Sequence, residues 1–208
     1  MTNPRSFWLL ALAVPAILAI LVLGGCSSDD DDDGPTTPPA DTDQEVLDDA
    51  WAGFEGGDLA TAEAKFRELL DRGTMVAVAR DGLGWTFAVQ NAADSSRVQF
   101  AAALDAGADT LAIADQAHAG LAFASAAALE FQDCLDAAAL VSTGWVFAHD
   151  DRFDHDQVVL LTAGAHYALG DFAASLAAVQ QLDPDFTADV GTVEGRAALA
   201  ARIEQLQA

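Results

Sequence analysis

From Thr42 onward, apolar side chains recur at spacings of three and four, the period of helices that bury one face. Val46, Leu47, Ala50, Trp51 and Phe54 mark a first face, and Leu59, Ala62, Phe66, Leu69 and Leu70 a second, with Gly56-Gly57-Asp58 between them and Gly73 closing the pair. Thr42-Asp43-Gln44-Glu45 has the form of a capping box, in which Thr42 caps the first turn and Glu45 reaches back. The same pattern predicts helices over 75–90, 94–106, 110–127, 129–141, 158–169 and 171–182. A last amphipathic stretch over 193–206 carries Val193, Leu199, Ile203 and Leu206. No run has a convincing period of two, so the expected fold class is all-α.

These helices fall into pairs, and the pairs repeat. A turn residue inside each hairpin is expected at Asp58, Asp94, Glu130 and Asp171. Two copies are clearest: Phe54-Glu55-Gly56-Gly57-Asp58-Leu59 with Ala62 and Phe66, and Tyr167-Ala168-Leu169-Gly170-Asp171-Phe172 ending at Pro184. On these residues the chain resembles the tetratricopeptide repeat, over about 45–184. The two middle copies lack the Gly-Asp turn, and Ser175 stands at the usual small position of the last copy. The resemblance implies a right-handed solenoid of about four TPR-like helical hairpins, with a C-terminal capping helix over Val193–Leu206. It also implies a concave groove, lined by the first helix of each pair, that binds a protein or peptide partner. Recognition of a terminal carboxylate needs a basic clamp in those first helices, and they offer only Arg80. A generic Ala-rich helical domain is the alternative reading of the same pattern.

The N-terminal residues have a different pattern. Phe7 to Leu23 is continuously apolar apart from Pro15, after a short positive region carrying Arg5. That is the layout of a secretory signal; as an uncleaved span it is short of the roughly 20 apolar residues a bilayer needs. Leu23-Gly24-Gly25-Cys26 resembles the bacterial lipobox, which implies cleavage before Cys26 and a covalent lipid on it. The expected organisation is a signal peptide over 1–25, an acidic, Pro-rich disordered stalk over 26–43 and a helical domain over 44–207. The stalk begins with five aspartates, Asp29 to Asp33. An EF-hand reading of them fails because its twelfth position is Ala40, which has no carboxylate. Ser27-Ser28 resembles the sorting signal of Gram-negative lipoproteins. The expected address is the cell envelope, membrane-anchored, on the outer membrane if Gram-negative, periplasmic or surface-exposed.

Charge narrows the partners. Thirty-three acidic residues against 9 basic ones give a net charge of -24, which repels phosphate backbones and excludes nucleic acid, while a cationic protein partner fits it. If Cys26 carries lipid, Cys134 is the sole remaining cysteine and no disulfide forms within the chain; its helical spacing from Phe131 and Ala138 marks it as a buried small hydrophobe.

No nucleophile elbow, zincin motif, phosphate loop or paired-cysteine motif is present, so no catalytic residue and no cofactor beyond the lipid is expected. The dense polar run His149-Asp150-Asp151-Arg152-Phe153-Asp154-His155-Asp156 admits two readings. One is a solvated connector whose Asp154 or Asp156 caps the next helix. The other is a metal-binding module or metal-dependent hydrolase using His149, Asp151, His155 and Asp156. Trp51, Trp85 and Trp145 are expected to pack in the core, and His118 and His166 within helices.

Overall fold

A computed structural model describes residues 41–107 and 111–207. Cys26, the signal peptide and most of the stalk lie outside the described residues. Among them the fold is all-helical: α1 (Asp43–Glu55), α2 (Leu59–Arg72), α3 (Val76–Val89), α4 (Ala93–Asp105), α5 (Leu111–Ala127), α6 (Phe131–Ala138), α7 (His155–Leu169), α8 (Phe172–Leu182) and α9 (Val193–Leu206). The only extended pairing described is an isolated antiparallel bridge between Val146 and Asp154.

The capping box forms as expected: the Thr42 hydroxyl accepts from the Glu45 amide at 3.2 Å, and the Glu45 carboxylate accepts from the Thr42 amide at 2.7 Å. Asp58, Asp154, Asp171 and Thr192 likewise cap α2, α7, α8 and α9 through their side chains.

One turn is used four times. Gly57, Asn91, Leu129 and Gly170 adopt left-handed φ values of 77°, 60°, 63° and 83°. The residue after each, Asp58, Ala92, Glu130 or Asp171, then starts the next helix with nearly the same backbone, φ between -83° and -96° and ψ between 67° and 73°. The second cap is therefore Ala92, not the expected Asp94. A single-residue left-handed turn needs a backbone conformation, which Gly makes cheap but which Asn and, at more cost, Leu also reach.

Counting from these caps aligns the packing. The fourth residue onward is Ala62, Ser96, Cys134 or Ser175, each fully buried where the two helices of a pair cross. The Ser96 and Ser175 hydroxyls donate to the carbonyls of Gly84 and Ala163 on the preceding helix, at 2.9 and 2.7 Å. The eighth is Phe66, Phe100, Ala138 or Val179, again buried. Phe66 and Phe100 are accommodated by glycines of the next pair: a Cβ on Gly82 would stand 2.2 Å from the Phe66 ring, and one on Gly120 2.1 Å from Phe100. Where the eighth residue is the small Ala138, the corresponding position of α7 is Leu161.

Each helix packs on the next, and the odd-numbered helices also touch one another, α1 on α3, α3 on α5 and α5 on α7. Among the described residues α2, α4, α6 and α8 make no contact with each other. The odd helices therefore form one continuous row, hereafter the inner face. α9 packs on α7 and α8, with the Tyr167 hydroxyl donating to the Arg196 carbonyl at 3.2 Å.

Two helices differ from the sequence expectation. α6 stops at Ala138 and α7 begins at His155, three residues earlier than the periodicity indicates. Between them residues 139–154 form a non-helical segment, hereafter the strap.

Candidate functional site

The strap is not a solvated connector along its whole length; its alternating large side chains turn inward. Trp145 and Phe147 are buried, 8% and 1% exposed, while Val146 between them is 60% exposed. Two backbone bonds close it into a small hairpin, the Phe147 amide donating to the Phe153 carbonyl at 2.9 Å and the His155 amide to the Trp145 carbonyl at 2.8 Å. The Arg152 guanidinium grips Asp150 through both carboxylate oxygens at the tip. That contact holds the Asp150 carboxyl below its ordinary range and the Arg152 guanidinium above its own.

The hairpin lies across three odd helices. Phe147 stacks on Trp85 of α3 at 4.2 Å between ring centres and meets Trp51 and Phe54 of α1 edge-on. Trp145 stacks on Trp85 from 6.2 Å, and Phe153 packs between Trp85 and Phe123 of α5. The base of the strap is fastened to α5, where Asp115 accepts from the Ser142 amide and hydroxyl, both at 3.1 Å. Its tip is fastened to α1: the His149 ring lies parallel to Trp51 at 3.7 Å, and His149 Nδ1 is 2.7 Å from Glu55 Oε1. The inner face is thus occupied by the chain's own aromatic segment. Beside the tip, an open cleft of about 660 Å³ is lined by Phe54, Glu55, Leu59, Val89, His149 and Asp151, among others.

Two buried polar atoms of α3 are left unpaired. Among the described residues, the Nε1–H of the fully buried Trp85 meets no acceptor, and Asp81, one helical turn earlier and 2% exposed, has no partner for Oδ1. Burial without a counter-charge pushes the Asp81 carboxyl well above its ordinary range. The His118 imidazole is lowered by burial, against an opposing pull from Asp115, and its Nδ1 is unpaired.

No family model, curated protein or solved structure matches this chain.

The four metal-ligand candidates are held apart from one another in role. His149 is engaged with Trp51 and Glu55, His155 lies in the first turn of α7, and Asp151 and Asp156 are exposed. Among the described residues no three His, Cys, Asp or Glu side chains come together as a metal site. Asp154 caps α7 by accepting from the Gln157 amide at 2.9 Å. Arg80 is spoken for by Gln99, to which it donates at 2.8 Å. Cys134 is buried, and burial raises its thiol to about 11. Among the described residues no helix is long and apolar enough to cross a membrane.

Trp51, Trp85 and Trp145 are buried in the core as expected, whereas sequence reasoning missed Phe147 and Phe153. The alternation Trp145-Val146-Phe147-Ala148-His149 was the available signal, a short period of two just before the polar run over 149–156.

Proposed function

We propose that this protein is a lipid-anchored cell-envelope scaffold: a non-enzymatic, protein-binding solenoid of four TPR-like hairpins, tethered by Cys26 through the acidic stalk. The observation that carries the reading is the turn used four times, with its caps at 58, 92, 130 and 171. Moving the second cap from 94 to 92 makes the first interval the 34 residues of the tetratricopeptide unit. The buried small residues at the helix crossings and the inner row of odd helices support the same reading. α9, packed on the last pair, suits a capping helix.

The anchor rests on the sequence Leu23-Gly24-Gly25-Cys26. Its several acyl chains exceed the two signals that stable membrane attachment needs. Growth with radiolabelled palmitate tests it: label is expected in the wild type and absent from Cys26→Ala, and equal label in both overturns the anchor.

The scaffold and metal readings of 149–156 separate in a calorimetric titration with zinc, manganese and calcium. The scaffold predicts no stoichiometric uptake; uptake that disappears in both His149→Ala and His155→Ala overturns it.

A further inference from the structure

We propose that the strap is a displaceable self-ligand: its residues 142–154 occupy the inner face in place of an extended partner segment that carries two aromatic side chains one residue apart. This deepens the scaffold reading and rests on it.

The seated strap shows what the face accepts. Trp145 and Phe147 project to one side of an extended stretch and fill a surface built from Trp51, Phe54 and Trp85, while Val146 points away. Alternate side chains on one face are a property of extended backbone, so any partner that copies this contact needs the same spacing. The occupant is therefore defined by geometry as aromatic, any residue, aromatic.

Three observations mark the strap as removable rather than one more piece of core. First, among the described residues its side chains reach the other helices by polar contacts at its base, Ser142 on Asp115, and at its tip, His149 on Glu55, while its backbone bonds mostly close it on itself. Second, its tip is hydrophilic and flanks the open cleft, so a competitor can enter from the α1 end beside Glu55 and Phe54. Third, the strap stacks on Trp85 without pairing the indole Nε1–H, and Asp81 Oδ1 on the same face of α3 is also unpaired. A buried group left unpaired is costly, so the closed state is less stable than its aromatic contacts alone imply. An incoming segment with a free carbonyl and a donor can satisfy both atoms, which the strap does not.

Opening exposes Trp51, Trp85 and Phe123, and only a competing aromatic segment, or the strap itself, re-covers them. The state is then a regulated one: the chain presents a closed inner face until a segment of the right spacing competes for it.

The test uses the mature full chain in detergent and, as probe, a fluorescent synthetic peptide of this chain's own residues 142–155. The double variant Trp145→Ala/Phe147→Ala, checked for a cooperative melt, is expected to bind the peptide at least about tenfold more tightly than the wild type, a difference of 1.4 kcal/mol. The same peptide with both aromatics replaced by Ala is expected not to bind. A folded double variant that ignores the peptide, or that binds both peptides alike, overturns the proposal.

If the double variant does not fold, hydrogen exchange on the wild type decides. The amides of Phe147 and His155, bonded across the strap, are expected to exchange through a local opening whose rate barely changes with low denaturant, ahead of the amides of α3. Exchange of these two amides only with global unfolding overturns the proposal. Both experiments need no outside partner, so their failure leaves the scaffold reading itself standing on its own test.

Discussion

Burial favours the protonated form of Asp81 in the native chain, a preference the unfolded chain does not share. Its folded-state pKa is raised by burial, so once pH passes the ordinary value of about 3.9 the unfolded state gains by ionising and the native state does not. Its contribution therefore favours the fold at low pH and declines as pH rises toward the folded value. Asp81→Asn removes the titration while keeping the shape, and is expected to gain stability over the wild type at pH 8 and to lose that advantage as pH falls toward 4. Urea midpoints measured across that range check it, and parallel pH profiles for the two proteins contradict it. Cys134 makes a second residue-scale case. Buried at a helix crossing with its thiol raised to about 11, it is expected to resist iodoacetamide at pH 8 in the folded chain and react on unfolding. Labelling at equal rates in both states contradicts that. Cys134 was legible in the sequence from its helical spacing, because burial of a small apolar group follows from periodicity. The unpaired Asp81 was not, since a lone Asp in an apolar helix does not reveal which residues close over it.

At the scale of the elements, the decisive fit is between an aromatic ring of one pair and a glycine of the next. Gly82→Ala gains up to about 1 kcal/mol of helix propensity but drives a methyl into the buried Phe66 ring, where overpacking costs about 1–3 kcal/mol. Overpacking is expected to win, and Phe66→Leu in the same chain is expected to recover part of the loss, a non-additivity that a double-mutant cycle on unfolding free energies measures. Additive effects contradict the contact. Leu129 offers the opposite sign: it is 71% exposed with φ 63°, so Leu129→Gly relieves left-handed strain without opening a cavity and is expected to raise the melting temperature slightly. The same turn explains what the sequence did and did not disclose. Gly57-Asp58 and Gly170-Asp171 announce it in the residues best suited to it. The turn at Glu130 was placed by the spacing of the repeats, although Leu129 itself gives no sign of it, because the turn constrains backbone angles and packing can hold an unfavourable residue there. Asn91, which tolerates left-handed backbone, was the signal that places the second turn at 92 instead of 94.

Across the whole domain, the helices were readable and the strap was not. Helical faces repeat over many residues, whereas the strap's inward alternation spans only Trp145, Phe147 and His149, and its partners Trp51 and Glu55 lie some ninety residues away in the chain. Charge pairing gives the molecule its electrostatic character. Lys65 and Arg72 hold the start of the domain against α2 through Asp41, Asp43 and Asp49, and Arg97 is engaged by Glu130 and Asp133. These cations are committed to intramolecular carboxylates, so the surface left to a partner is predominantly acidic. In the proposed scaffold, the engagement of another protein by such a surface, held at a membrane by Cys26, is the event that defines the function. It is tested most directly by cross-linking in the producing cell from a photoreactive residue placed at Asp151, exposed beside the cleft. A discrete protein adduct in the membrane fraction, diminished when Cys26→Ala releases the chain, is the predicted result. No protein adduct from position 151, or from Val98 on α4, contradicts it.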